Sequence, residues 1–183
     1  MARVLVPLAP GCEELEAVTI IDLLRRADIE VVSAGLSEGA VTCSRGTVLL
    51  PDVLLDDVLS DSFDMIVLPG GLPGADHLQN DARIQRLLKN MSEAGQYVAA
   101  ICAAPKALAS AGLLDGRMAT SYPGALDIAL LKQTTLLEKS VVIDGTLITS
   151  RGPGTAMDFA LTLIETLCGS AVRQQVEQPL LRP

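Results

Sequence analysis

Between residues 96 and 106 the chain reads Gln96-Tyr-Val-Ala-Ala-Ile-Cys102-Ala-Ala-Pro105-Lys106. Strand-forming apolar residues end at Cys102, and helix-forming residues with an early proline follow at once. A sharp turn from strand to helix exposes the turn residue beside unpaired N–H groups, which favour negative charge and predict a lowered thiol pKa. Cys102 is therefore a candidate nucleophile or redox sensor, and the alternative is a small buried apolar side chain.

The flanking segments repeat this order of strand and helix. Residues 3–9 and 29–35 predict buried strands, and residues 14–28 between them predict an amphipathic helix. Further strands are predicted over 64–69, 117–120, 140–144 and 146–150, with short paired strands near Gly46. Further helices are predicted over 81–89, 124–131, 153–167 and 170–177. This order predicts an α/β fold, a three-layer sandwich with a mostly parallel sheet whose sites lie at the carboxyl ends of its strands.

Composition narrows the class of protein. The 183 residues are 49% hydrophobic and 20% charged, which is typical of a globular protein, and we expect residues 1–183 to form a single domain. The net charge of −8 disfavours nucleic acid as the main partner. No apolar run reaches the roughly 18 residues of a membrane span, so no membrane partner is expected. Four cysteines without a CxxC pair, and one histidine, predict no metal or cofactor and indicate reduced thiols in the cytoplasm.

Three acids follow the first strand. Glu13, Glu14 or Glu16 can share a proton with Cys102 or act as a general acid and base. The alternative is that acids in the first turn of a helix stabilise its dipole. The pattern does not choose among the three.

Two further loops lie at predicted strand ends. Gly70 and Gly71 allow close approach of the backbone, and their N–H groups can bind an oxyanion; the alternative is a tight turn. Arg151 can pair with an anion, although the residues alone favour a surface arginine at the start of a helix.

The remaining candidates are weaker. His77 is the candidate partner for a Cys/His dyad, but its place at a helical start favours an exposed helix position. Tyr122 fits either the edge of a pocket or the end of a strand. Cys12, Cys43 and Cys168 lack the turn from strand to helix, and we interpret them as structural thiols.

Several motifs occur together and in order: Glu13-Glu-Leu-Glu16, Cys43-Ser-Arg45, Val67-Leu-Pro-Gly-Gly71, Ala99-Ala-Ile-Cys102-Ala-Ala-Pro105 and Thr149-Ser-Arg-Gly-Pro-Gly-Thr155. With them, the chain resembles the ThiJ/PfpI superfamily, in the branch of the parkinsonism-associated deglycase and its bacterial relatives. The resemblance runs from about residue 3 to residue 180. It implies a flavodoxin-like sandwich with a nucleophile elbow, which forms a homodimer.

The resemblance also implies roles for individual residues. Cys102 matches the reactive cysteine, and Glu16 matches the protonated carboxyl group that hydrogen-bonds its sulfur. Gly71 and Ala103 match the backbone donors of an anion pocket. The implied pocket also includes Gly70, Arg151, Tyr122 and an arginine lent across the dimer, Arg45.

One position departs from the family pattern. Tyr122 stands before Pro123 where many relatives have histidine, and tyrosine is a poor base near neutral pH, which argues against a strict Cys-His mechanism. Ala103 stands where the protease-like branch has histidine, and residues 78–183 lack the histidine that glutamine amidotransferases need. Neither activity is expected.

What remains is thiol chemistry on small carbonyl compounds. The resemblance implies a glutathione-independent glyoxalase or protein deglycase that acts on aldehydes such as methylglyoxal or on glycated adducts, coupled to protection against oxidative stress. The alternative is a non-catalytic redox sensor or chaperone that works through oxidation of Cys102.

Overall fold

A seven-stranded sheet lies between two layers of helices in the computed structural model, which describes residues 1–182. The strands are β1 Arg3–Leu8, β2 Glu30–Gly35, β3 Val41–Thr42, β4 Val48–Leu49, β5 Val53–Leu54, β6 Met65–Leu68, β7 Tyr97–Ile101, β8 Met118–Ala119, β9 Thr135–Leu136, β10 Val141–Asp144 and β11 Leu147–Ser150. The helices are α1 Glu14–Arg26, α2 Gly74–Asn80, α3 Ala82–Glu93, α4 Pro105–Ser110, α5 Ala156–Cys168 and α6 Ser170–Glu177.

The order of strands in the main sheet is β10-β11-β7-β6-β1-β2-β5. All neighbours pair in parallel except β10 and β11, which form an antiparallel hairpin at the edge. The parallel strands therefore bring their carboxyl ends to one edge of the sheet, where β1, β6 and β7 lie side by side. The predicted α/β sandwich with a mostly parallel sheet is confirmed.

Both faces of the sheet are buried because helices pack on each of them, and side chains that alternate along a strand enter the two cores in turn. On one face, Val6 of β1 belongs to a core with Ile20 of α1 and Phe159 of α5. On the other face, Leu5 belongs to a second core with Leu88 of α3. Such burial on both faces explains why the parallel strands read as nearly continuous apolar runs.

Local signals placed several elements correctly. The Asp81 carboxylate caps α3 by accepting the N–H of Arg83 at 2.8 Å. The β10–β11 hairpin turns at Gly145, as the Asp144-Gly145 pair predicts. The paired strands β3 and β4 enclose Gly46.

The helix predicted over residues 124–131 is wrong. Gly124 adopts a left-handed φ of +78°, and only a short 3-10 turn, Ile128–Leu130, forms. The Asp127 carboxylate accepts the N–H of Ala129 at 3.0 Å, which caps that turn locally. Among residues 1–182, no helix is long and apolar enough to cross a membrane.

Candidate functional site

Cys102 occupies a strained turn between β7 and α4. Its φ is +63°, a left-handed conformation that costs free energy for any residue other than glycine. Two backbone hydrogen bonds hold it: the Cys102 N–H donates to the Ser150 carbonyl at 3.0 Å, and the Tyr122 N–H donates to the Cys102 carbonyl at 2.8 Å. This is the geometry of a nucleophile elbow.

The surroundings of the Cys102 sulfur act on its pKa in both directions. Burial, then the negative charge of Glu16 and a hydrogen bond with its carboxyl group, raise the thiol pKa to about 12. The backbone N–H groups of Gly71 and Ala103 lower the thiol pKa. The Cys102 pKa is therefore raised, whereas the start of the helix predicts a lowered one. Desolvation and the neighbouring carboxylate outweigh the N–H groups.

Glu16 is a fully buried acid on α1. Its Oε2 atom accepts the Gly70 N–H at 2.8 Å, and its carboxyl group lies against the Cys102 thiol. Burial raises the Glu16 pKa from 4.5 to about 7, and the charge of Glu13 contributes. The other oxygen, Oε1, is buried and accepts no N–H or O–H from residues 1–182. A protonated carboxyl group suits this environment.

Glu16 and Cys102 are best described as one titrating pair. A carboxylate beside a thiolate is a like-charge contact in a desolvated place, so the two groups keep at least one proton between them near neutral pH. When that proton lies on Glu16, its O–H can donate to the sulfur. The like-charge repulsion that raises the thiol pKa is then absent.

The other two acids have different partners. The Glu14 carboxylate accepts the N–H groups of Arg45 at 3.0 Å and Thr47 at 3.2 Å. Desolvation raises the Glu14 pKa, but these N–H groups and the Ser44 hydroxyl lower it overall to about 2, so Glu14 stays ionised. Glu13 accepts a hydrogen bond from the Ser44 hydroxyl at 2.8 Å. Of the three acids, Glu16 is the one that lies against the thiol.

Gly70 and Gly71 must be glycines because neighbouring atoms leave no room for a side chain at either position. A Cβ on Gly70 would lie 2.7 Å from Cys102 Cβ and 2.8 Å from Glu16 Oε2, so a side chain there would force the pair apart. Gly71 has a φ of +88°, and a Cβ on it would lie 2.4 Å from the backbone nitrogen of Glu13.

A cavity of about 520 Å³ opens over the Cys102 sulfur. The sequence-predicted residues Gly71, Ala103, Arg45 and Tyr122 line it, while Glu16 and Gly70 lie behind the sulfur outside the lining. The further lining residues are Glu13, Ser44, Leu72, Lys106, Pro123, Gly124, Ala125 and Pro153.

Arg151 is not part of the cavity lining, contrary to the predicted pocket. Its guanidinium lies 3.9 Å from Glu138 Oε2, and Pro153 lines the cavity from the same loop. His77 is exposed on α2, as predicted, and is also outside the lining.

Lys106 is a lining residue that sequence reasoning missed. It lies one helical turn after Cys102 and forms an ion pair with Asp76 of α2. Its spacing of four residues from Cys102 was the available signal. Within residues 1–182, no cluster of three or more His, Cys, Asp or Glu side chains is arranged to hold a metal ion.

This arrangement can be compared with known proteins. The model of the DJ-1/PfpI family matches residues 2–166. The chain belongs to the DJ-1/PfpI family. Protein dj-1beta of Drosophila melanogaster is 47% identical over 97% of this chain and 95% of its own length. The glutathione-independent glyoxalase DJR-1.2 of Caenorhabditis elegans is 37% identical over 98% of this chain and 95% of its own.

Solved structures of the DJ-1/PfpI family have the same fold. The crystal structure of Drosophila melanogaster DJ-1beta superposes with a TM-score of 0.94 at 46% identity, covering 100% of this chain and 98% of that one. Oxidized Toxoplasma gondii DJ-1 has a TM-score of 0.91 at 38% identity, covering 99% of this chain and 98% of that one. The family and the fold inferred from the motifs are confirmed.

Proposed function

We propose that this DJ-1/PfpI protein converts small reactive aldehydes without glutathione, with Cys102 as the nucleophile and Glu16 as the proton carrier. The observation that carries the proposal is the contact between the buried Glu16 carboxyl group, whose pKa is about 7, and a thiol that faces an open cavity. The name of the Caenorhabditis elegans relative, a glutathione-independent glyoxalase, supports the same class of substrate.

The first step is addition to the aldehyde. The Cys102 thiolate attacks the aldehyde carbon of a 2-oxoaldehyde such as methylglyoxal, and the carbonyl oxygen becomes an alkoxide. The N–H groups of Gly71 and Ala103 lower the thiol pKa, and donors beside the attacking atom can stabilise that oxygen. Glu16 then supplies the proton that makes the neutral hemithioacetal.

The second step moves a proton between neighbouring carbons. Glu16, now ionised, removes the C–H proton of the hemithioacetal carbon and returns a proton to the adjacent carbonyl carbon through an enediol. The product is a thioester of a hydroxy acid. Water hydrolyses it, which releases lactate from methylglyoxal and restores the Cys102 thiol. Attack on a hemiaminal would be the deglycase form of the same chemistry.

A homodimer is part of this proposal. Leu15 and Val18 of α1 and Val48 and Leu50 of the β3–β4 hairpin are large apolar side chains, each 45–78% exposed on one chain. Their clustering on neighbouring elements supports burial against a second copy. Arg45 lines the cavity of its own chain, and in the dimer that the resemblance implies it would also lie near the partner's site.

A second candidate function is redox sensing, with or without chaperone activity. The same N–H groups of Gly71 and Ala103 can hold the oxygens of a Cys102 sulfinate, and protonated Glu16 can donate to one of them. The solved oxidized form of Toxoplasma gondii DJ-1 is consistent with this chemistry in a relative. We place either activity in a reducing compartment, the cytoplasm, because all four cysteines are free thiols.

Turnover by highly purified protein separates the two functions. Methylglyoxal is supplied without glutathione, and release of lactate is measured for the parent, Cys102→Ser and Cys168→Ser. We expect turnover by the parent and Cys168→Ser and none by Cys102→Ser. Equal turnover by Cys102→Ser would exclude the proposed enzyme, and no turnover by any of the three would favour the redox sensor.

A further inference from the structure

Two cysteines that are distant in sequence meet in the core. Cys12 follows β1 and Cys43 lies between β3 and β4, yet their sulfur atoms are 3.6 Å apart. Cys12 is completely buried and Cys43 is 5% exposed. Sequence patterns gave no sign of this contact because the two cysteines are 31 positions apart, with α1, β2 and β3 between them. The sequence interprets both as structural thiols, and the structure adds that they lie in contact.

The backbone holds these cysteines side by side. The N–H of Gly11 donates to the carbonyl of Thr42 at 2.8 Å, and the N–H of Ser44 donates to the carbonyl of Cys12 at 2.8 Å. Each cysteine is thus next to a hydrogen bond that joins the two segments. A disulfide requires the sulfurs to close from 3.6 Å to the bonding distance of about 2.0 Å, and these hydrogen bonds keep the two segments together while they do so.

We propose that Cys12 and Cys43 form an intramolecular disulfide when the protein meets a hydroperoxide. Cys43, the more exposed of the two, attacks the peroxide oxygen, which gives a sulfenic acid and one water. The Cys12 sulfur then attacks the Cys43 sulfur, the S–O bond breaks, and the hydroxide leaves as a second water. Two thiols lose two electrons and two protons, and the peroxide accepts them.

We expect the Cys12–Cys43 pair to be oxidised by peroxide more slowly than Cys102. Burial raises the pKa of both thiols, so little thiolate is present at neutral pH. The pair therefore oxidises slowly, and only under sustained exposure to peroxide. Once formed, the disulfide cannot be over-oxidised as readily as a free sulfenic acid, because its partner thiol is already bonded.

The Cys12–Cys43 disulfide would join two segments that form part of the cavity wall. Cys12 is followed by Glu13, and Cys43 is followed by Ser44 and Arg45, all three of which line the cavity over Cys102. A covalent link between the segments removes their freedom to separate. The proposal does not depend on the reaction assigned to Cys102, because the cross-link itself is the measured quantity.

Peptide mapping after peroxide treatment tests it. The folded protein is incubated with excess hydrogen peroxide over a time course, free thiols are alkylated after denaturation, and the chain is cut with trypsin. We expect a dithiothreitol-sensitive link between the peptides of residues 4–25 and 27–45. The mass of the linked species should be two hydrogen atoms below the sum of the two reduced peptides. The link should form in the parent and in Cys102→Ser, and should be absent from Cys12→Ser and Cys43→Ser.

The parent chain alone makes the experiment decisive even where a core variant fails to fold. Cys168 is half-buried and serves as the internal reference for general oxidation. If Cys12 and Cys43 are recovered as separate alkylated or over-oxidised peptides once Cys168 is oxidised, the proposal is wrong. A link found only between two chains, visible as a dimer on a non-reducing gel, would also overturn it.

Thermal unfolding gives an independent readout in the Cys102→Ser background, where oxidation of Cys102 cannot contribute. A disulfide that closes a loop of this length raises the midpoint of unfolding by roughly 5–10 °C. The increase should appear with the cross-linked peptide and disappear with dithiothreitol. A cross-link with no increase would contradict the inference that it fastens the two segments in their native arrangement.

Discussion

The Glu16 carboxyl group and the Cys102 side chain approach each other across the backbone of Gly70. Glu16 Oε2 accepts the Gly70 N–H at 2.8 Å, while Oε2 and Cys102 Cβ both lie within 3 Å of the point where a Gly70 side chain would begin. Three elements thus meet at one buried point: α1, the turn after β6 and the turn after β7. The consequences for proton transfer, stability and reactivity can be measured separately.

Replacement of Glu16 by glutamine should separate two roles of Glu16, the stabilisation of the Cys102 thiolate by a hydrogen bond and the transfer of a proton. Gln keeps a hydrogen-bond donor beside the sulfur but cannot carry a proton. We expect alkylation of Cys102 to stay within roughly tenfold of the parent, while aldehyde turnover falls by about 10²–10⁴. Glu13→Gln is the matched control, since Glu13 also lines the cavity but bonds to Ser44, and it should lose much less. Parent-like turnover by Glu16→Gln would exclude Glu16 as the proton carrier.

Glu16 should also make folding stability depend on pH. Because its pKa is about 7 in the folded protein and 4.5 as an ordinary glutamate, the folded state binds the proton more tightly. The contribution to stability is therefore complete below about pH 4.5 and is lost as the pH rises to about 7, by up to roughly 3 kcal/mol. Urea unfolding of Cys102→Ser, with and without Glu16→Gln, isolates this contribution across that range. The same pH slope in both proteins would contradict a raised Glu16 pKa.

Gly70→Ala should lower stability and aldehyde turnover more than an alanine substitution at a glycine outside the site. Its Cβ would press on Cys102 and Glu16, which is expected to cost about 1–3 kcal/mol of stability and most of the aldehyde turnover. Gly154→Ala is the control, because within residues 1–182, apart from its chain neighbours, no heavy atom lies within 4 Å of its Cβ position, and its φ is not left-handed. Its stability should be unchanged or slightly raised. Denaturant titration and turnover of both variants test this, and equal effects would argue against a specific role for close packing at Gly70.

Cys102 should be the most reactive thiol even though Cys168 is more exposed. The N–H groups of Gly71 and Ala103 stabilise the Cys102 thiolate when Glu16 carries the proton, whereas Cys168 has no comparable donors in the described structure. Limiting iodoacetamide at neutral pH, followed by peptide mapping, should label Cys102 first. Faster labelling of Cys168 would show that exposure outweighs these donors.

The apolar face of α1 and the β3–β4 hairpin should form a dimer interface. Sedimentation equilibrium at micromolar concentration is expected to give about twice the chain mass of 19.2 kDa. Leu50→Lys places a charge on a side chain that is 78% exposed in one chain and should shift the protein to monomer. Ile143→Lys, at an exposed apolar position on the opposite edge strand β10, should leave the dimer intact. A parent protein that sediments as a monomer would remove the dimer from the proposal.

Much of the fold follows from local pattern. The apolar runs of β1, β6 and β7, the cap at Asp81 and the Asp144-Gly145 turn are read from neighbouring residues, and each matches the structure. The position of Cys102 between strand and helix is local in the same way. The predicted helix over 124–131 failed because Gly124 and Asp127 favour turns that compete with helix formation.

The sequence by itself determined the α/β order, the position of the cysteine at the turn and, through motifs, the family. The family resemblance pointed to Glu16, and the tertiary structure places its carboxyl group beside the thiol. Only the tertiary structure decided that Arg151 lies toward Glu138 and that Cys12 contacts Cys43. It also reversed the expected direction of the Cys102 pKa. The physical reason is that contacts across 30 or more residues, and the loss of solvent around a charge, depend on which elements pack together, and no local pattern encodes that distance or that burial.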